Sequence, residues 1–234
     1  MSQEPVDIDA INAGTAYVLY AVFERVGSLP GNAAERADVV HTGVTALSGV
    51  SVRGWYDLAA FRAGADLLLW CHAESVEALQ EAYHRLLACP FGEHLRPTWS
   101  AIGVHRPAEF NRAHVPAFLA GEAPGAYICL YPFVRSYDWF LLPPQDRSRM
   151  LREHGLAARD YADVRANTVA SFGLGDYEFL LAFEAPAMHR IVDLMRDLRA
   201  VEARRHVREE IPFHAGVRVS LAEWTDRQPR LSPR

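Results

Sequence analysis

The chain repeats itself, and both copies must fit one architecture. At an offset of 110 residues Ala16-Tyr17-Val18 falls on Ala126-Tyr127-Ile128, and Gly64-Ala65-Asp66 on Leu174-Gly175-Asp176. After each aspartate comes an apolar run, Leu67 to Cys71 and Tyr177 to Phe183, then Glu74 or Glu184 before a helical stretch. Further on, Pro107-Ala108-Glu109-Phe110 matches Leu221-Ala222-Glu223-Trp224, the offset having grown to 114, as a small insertion would produce.

Each copy reads as strand, helix, two strands, helix, strand. Hydrophobic periodicity predicts strands over 15–23, 53–60, 66–72 and 99–105, then over 126–134, 165–172, 177–184 and 214–221. Helices are expected over 32–48, 75–88, 144–159 and 186–206. Val39, Val40, Gly43, Val44 and Leu47 give the first of them an apolar stripe, and Ile191, Leu194, Met195 and Leu198 give one to the last. The predicted fold class is α+β, two tandem ferredoxin-like βαββαβ units whose sheets pack face to face to hide apolar surface. The expected division is an amino-terminal repeat over 14–110, a connector over 111–125 and a carboxyl-terminal repeat over 126–225. The connector, with Pro116, Gly121, Pro124 and Gly125 following Asn111 to His114, reads as ordered loop.

Composition narrows function mainly by exclusion. All 24 basic residues are arginine, so chemistry that needs a lysine amine, a Schiff base or a Walker-type phosphate loop, is excluded. GxSxG, HExxH and a strand-following GxGxxG are missing, and Gly173-Leu174-Gly175-Asp176 reads as a turn between strands. A net charge of −5 without any basic run argues against a nucleic-acid partner. No apolar run approaches the roughly 20 residues of a membrane span. The polar, acidic start MSQEPVDIDAINAG has no signal-peptide pattern, so a cytoplasmic protein is expected. Cys71, Cys89 and Cys129 are far apart and odd in number, which predicts reduced, buried thiols.

The segment from Tyr131 to Tyr161 gathers the reactive side chains. Pro143 and Pro144 announce a helix. Met150, Leu151, His154, Ala157 and Ala158 then recur at helical spacing, so His154 projects from an apolar face while Arg147, Arg149, Arg152 and Glu153 face water. An unpaired buried imidazole would cost about 1–3 kcal/mol. A metal or a carbonyl would each satisfy it, and a satisfied core histidine is the more frequent case. Tyr131 and Arg135, four apart on a strand, share a sheet face and can address one ligand together, although Tyr131 can equally be a packed strand aromatic. The first copy has Phe23-Glu24-Arg25 where the second has Phe133-Val134-Arg135, and no counterpart of His154, since His41 lies between Val40 and Thr42. This asymmetry assigns the chemistry to the second copy.

The stretches YPFVRSYDWFLLP, MLREHGLAARDYADVRANTVASFGLGDYEF and RHVREEIPF, between Tyr131 and Phe213, resemble the coproheme decarboxylases of the chlorite dismutase superfamily, most closely the actinobacterial type. The resemblance covers nearly the whole chain. It implies a duplicated ferredoxin-like fold, the dimeric α+β barrel, with haem in the second copy and assembly as ring-shaped homopentamers. The implied reaction is hydrogen-peroxide-dependent oxidative decarboxylation of two propionates of iron-coproporphyrin III, through a monovinyl intermediate, to haem b. Coproheme is then both substrate and redox cofactor, and a ferrochelatase is a possible transient partner. His154 matches the proximal iron ligand, Tyr131 the radical-forming tyrosine, and His114 a distal histidine that takes a proton from peroxide; an exposed loop histidine is the rival reading of His114. Arg135 stands where many relatives outside the actinobacteria carry lysine, and is placed to hold a propionate. His206 reads as a solvated helix residue. Ala203 aligns with the distal arginine of chlorite dismutases, with Arg204 adjacent. Competing readings are a chlorite dismutase-like or peroxidase haem enzyme, though Gly173 to Tyr177 lacks the GxxDG of dye-decolorising peroxidases, and a non-catalytic haem carrier or sensor, which would not require Tyr131.

Overall fold

The structure, a computed structural model, describes residues 6–228; the first five residues of the polar amino terminus lie outside the described residues. The elements in chain order are α1 (Ile8–Ala13), β1 (Tyr17–Arg25), α2 (Ala33–Ala46), β2 (Ser51–Asp57), β3 (Leu67–Ala73), α3 (Val76–Ala88) and β4 (Leu95–Val104). The second copy continues with β5 (Tyr127–Arg135), α4 (Pro144–Ala157), β6 (Arg165–Ala170), β7 (Phe179–Ala185), α5 (Met188–Leu198), β8 (Val207–Glu209), β9 (His214–Val219) and α6 (Leu221–Arg227). The fold is α+β with the βαββαβ order of a ferredoxin-like unit in each copy. Among the described residues no helix is long and apolar enough to cross a membrane.

Two compact units interleave along the sequence: residues 16–102 with the segment from 215 onward, and residues 103–214 with the segment up to Thr15. In the first, β3 lies between β1 and β2, all antiparallel, in registers running from Tyr17↔Ala73 to Phe23↔Leu67 and from Ser51↔His72 to Asp57↔Leu67. The outer edge of β2 is taken by β9, with Trp55↔Val219 and Asp57↔Val217 as partners. Gly216 permits this approach, because a Cβ there would stand 2.6 Å from the Asp57 carbonyl oxygen. Phe23, Leu69, Leu79, Leu86, Phe91 and Trp224 pack the core of this unit.

In the other unit β7 pairs with β5 from Tyr127↔Ala185 to Phe133↔Phe179 and with β6 from Arg165↔Glu184 to Ala170↔Phe179. The amphipathic α5 lays Ile191, Leu194 and Leu198 against Cys129, Tyr131 and Phe183. The helix expected over 186–206 ends at Leu198. The physical reason is a change of partner: Val201 and Ala203 leave the α5 stripe to pack with Trp139 and Met150, a 3-10 turn forms over Glu202–His206, and β8 then pairs with the end of β5. Two short helices lay outside the sequence reading. Asp7 caps α1, and α6 begins on a reciprocal capping box between Ser220 and Glu223, inside the Leu-Ala-Glu-Trp stretch that marks the repeat. All three cysteines are free; Cys71 and Cys129 are buried, which pushes each thiol up to about 12, whereas Cys89 is half-buried rather than buried.

Candidate active site

Alternation along β5 turns Tyr131, Phe133 and Arg135 toward one cavity. Tyr131 is 4% exposed. Its ring stacks on Phe213 with centroids 4.8 Å apart and tilts against Phe183 at 6.1 Å. The hydroxyl donates to the sulfur of Met195 at 3.7 Å, a soft and weak acceptor. Burial, reinforced by Cys129 and Glu210 and opposed by Arg199 and Arg204, raises the phenol well above the usual tyrosine range. It therefore stays protonated near neutral pH.

Arg135 follows a register shift between Val134 and Arg135 where β8 meets β5. Its guanidinium carbon lies 3.9 Å over the Trp139 ring and 4.5 Å over the Phe133 ring, while its backbone N–H donates to Glu178 Oε2 at 2.7 Å. Among the described residues no side-chain carboxylate is hydrogen-bonded or ion-paired to this guanidinium. Burial lowers its pKa to about 10, with Glu178 and Glu210 opposing, so it remains a cation held on two aromatic faces with its N–H groups uncommitted.

His154 lies in the last turn of α4, half-buried. Burial, with a further contribution from Arg135, lowers its pKa to about 4. The imidazole is therefore neutral at pH 7 and has a lone pair to offer. His114 sits on the loop before β5 and is exposed; its backbone N–H donates to the Asn111 carbonyl at 3.0 Å. That loop is tied down at several points. Asn12 Nδ2 donates to the Arg112 carbonyl at 2.8 Å, Glu109 pairs with Arg147, and the Phe118 N–H donates to Asn167 Oδ1 at 3.0 Å.

The cavity that Tyr131, Arg135, His154 and His114 line has a volume of about 280 Å³. It continues into chambers of about 400 and 410 Å³, all three sharing Ala108, His114 and Leu151; the first of these also touches Arg135 and the second His154. Leu181, Phe183, Met195 and Leu198 make its walls apolar. Arg199, Arg204 and Glu210 also line it; the sequence drew attention to Arg204 only as the neighbour of Ala203, and to the other two not at all. Ala203 is 3% exposed on the same wall with Arg204 beside it. His206 departs from the sequence expectation. Rather than standing solvated on a helix, it is half-buried in the 3-10 turn, with Nδ1 3.1 Å from Ser136 Oγ and its ring 5.5 Å from that of Trp139.

Residues 32–219 match the family model described as chlorite dismutase. The chain belongs to the chlorite dismutase family. It is 55% identical over 231 residues, 96% of this chain and 99% of the relative, to the coproheme decarboxylase of Mycolicibacterium smegmatis. To the coproheme decarboxylase of Staphylococcus carnosus it is 28% identical over 151 residues, 56% of this chain and 61% of that one. Among solved structures, chlorite dismutase from Candidatus Nitrospira defluvii in complex with imidazole aligns with a TM-score of 0.80 at 22% identity, covering 91% of this chain and 94% of that one. A tryptophan variant of that enzyme in complex with cyanide aligns at 0.79, also with 22% identity, over 91% and 94% of the two chains. These structural likenesses show that this member shares the family fold.

Proposed function

We propose that the protein is a coproheme decarboxylase, which uses hydrogen peroxide to convert two propionates of iron-coproporphyrin III to vinyls and so makes haem b. The observation that carries this reading is the single apolar cavity onto which a buried protonated phenol, an uncommitted guanidinium and a neutral imidazole all open, in a chain closely related to a protein of that name. The residues fit an iron porphyrin. Among the described residues no three of His, Cys, Asp and Glu gather closely enough to hold an ion, so a metal held through His154 brings its other donors with it. Leu151, Leu181, Phe183 and Leu198 suit the macrocycle, and Arg135, Arg199 and Arg204 suit its carboxylates.

When bound, iron coproporphyrin supplies the site of peroxide reduction and the one-electron oxidising power. His154 would hold the iron through its neutral ring nitrogen. His114 accepts a proton from incoming peroxide. Arg135 orients a propionate with two parallel N–H donors, and its aromatic seat on Trp139 and Phe133 limits its movement. Tyr131 gives up an electron and its hydroxyl proton together, since burial forbids a phenolate. The phenoxyl radical takes a hydrogen atom from the propionate carbon next to the ring, which restores the phenol. Loss of a further electron then lets the carboxylate leave as carbon dioxide, and the vinyl remains. Each conversion withdraws two electrons from the side chain, and one hydrogen peroxide takes them to become two waters. The family resemblance further supports a ring-shaped homopentamer working in the cytoplasm, with coproheme delivered by a ferrochelatase.

The test is mass spectrometry of coproheme-loaded protein during a peroxide titration. Two successive losses of a carboxyl group through a monovinyl species are expected. Coproheme that keeps its mass under peroxide would sink the decarboxylase reading in favour of a carrier, a sensor or another haem enzyme of the family.

A further inference from the structure

Three charged groups of the cavity wall form a cluster of their own. Arg199 caps the end of α5, Arg204 sits in the 3-10 turn and Glu210 follows β8. Arg199 grips both oxygens of Glu210, with Nη1 3.3 Å from Oε1 and Nη2 2.7 Å from Oε2. Arg204 Nη1 stands 2.6 Å from the same Oε2 but off the line of a hydrogen bond, so this buried N–H has no aligned acceptor. The glutamate side chain is 11% exposed, whereas those of Arg199 and Arg204 are 37% and 38% exposed. Leaving the histidines aside, the lining of the cavity sets three guanidinium groups against one carboxylate.

One carboxylate cannot use all the donors of two guanidinium groups, each of which carries five N–H bonds. The spare donors face an apolar cavity close enough to Tyr131 that both arginines act on its phenol. The group that suits such a place is an organic carboxylate on an apolar frame. We propose that Arg199 and Arg204 form a second carboxylate subsite, and that Glu210 is its resident counter-ion, which takes both guanidinium groups back once the substrate's carboxylate has become a vinyl. The proposal rests on the decarboxylase reading.

The need for such a counter-ion follows from the reaction. Arginines alone would hold the tetracarboxylate strongly, but each decarboxylation would leave a guanidinium desolvated against a vinyl with no partner, which expels the ligand before the second step. Glu210 weakens the hold on substrate by competing for the same donors, and in return keeps the site satisfied when the carboxylate is gone. One pocket can then accommodate substrate, intermediate and product. If the cluster only fastens the 3-10 turn to β8, Glu210 governs stability and has no say in which porphyrin binds.

Metal-free coproporphyrin III, with four carboxylates, and protoporphyrin IX, with two, separate these roles without any turnover. Each is titrated into the full-length wild type, Glu210→Gln and Arg204→Gln by quenching of tryptophan fluorescence. Glu210→Gln is expected to tighten coproporphyrin about tenfold and to leave protoporphyrin unchanged or weaker, widening the ratio of the two Kd values. Arg204→Gln should weaken coproporphyrin by about the same factor while sparing protoporphyrin, and carries the test if circular dichroism shows that Glu210→Gln does not fold. A ratio that stays at the wild-type value in the folded variants overturns the subsite and leaves Glu210 a structural clasp. That result would not touch the decarboxylase reading, which fails instead if coproheme loaded on the wild type keeps its mass under peroxide.

Discussion

The Tyr131 phenol is buried, protonated and, among the described residues, hydrogen-bonded only to a thioether. Tyr131→Phe keeps the ring stack on Phe213 and removes the hydroxyl alone. We expect porphyrin binding within about twofold of wild type and a first decarboxylation slowed on the order of a hundredfold or more, measured by stopped-flow and mass spectrometry. A normal rate would transfer the radical to another residue. A second buried group, His105, bears on stability. It is 2% exposed, its Nε2 is 3.2 Å from Asn12 Oδ1, and its Nδ1 has no partner. Burial, helped by Arg106, holds its pKa below the ordinary value near 6.5. Below that value the unfolded chain takes up a proton that the folded chain refuses, so stability is full above about pH 6.5 and is lost as pH falls through it. Melting of the ligand-free protein should therefore drop between pH 7 and 5, and His105→Gln should flatten that drop; parallel profiles would remove His105 as the cause. The placement of these residues differs in how far sequence could reach it. Tyr131, Arg135 and His154 were legible because strand and helix spacing aims them to one side. His114 lies on a loop without a period, and only the resemblance singled it out. His105 and Glu210 were not legible at all, since their partners lie 93 and 11 residues away and belong to other elements.

Strands and helices were easier to read than their ends. The core strands came out within a few residues because short apolar runs mark them, whereas β4 starts at Leu95, four residues ahead of expectation. The largest miss, the extension of α5 to 206, arose because arginines and alanines between 199 and 206 favour a helix locally while burial of Val201 and Ala203 overrides that preference. The pairing of β9 with β2 has no signature in periodicity, but it has a clear steric requirement at Gly216. A methyl group there would meet the Asp57 carbonyl oxygen and Leu58 Cδ2, both at 2.6 Å. Gly216→Ala is expected to cost about 1–3 kcal/mol through forced separation of the two strands. By calorimetry this is a Tm lower by roughly 2–10 °C. An unchanged Tm would mean that β9 tolerates a wider spacing than the structure shows.

For the chain as a whole, the duplication was readable and so was the half that departs from it, but not what the departure builds. Six residues separate α3 from β4 in the first copy, and fifteen separate α5 from β9 in the second. The longer passage contains the 3-10 turn, β8 and the residues after it, and so supplies Ala203, Arg204, Val207 and Glu210 to the cavity. The passage is nine residues longer than its counterpart, and because α5 is shorter than α3 and β9 shorter than β4, the offset of the repeat conceals most of this added cavity wall. The interleaving of the two compact units bears on biosynthesis. Residues 16–102 leave the ribosome early, yet the strand that covers the edge of β2 begins only at His214. A nascent chain therefore carries an open sheet edge through most of its own translation, a standing invitation to pair with a neighbour on the same message. Strands made before the middle of the chain thus wait for one near its end.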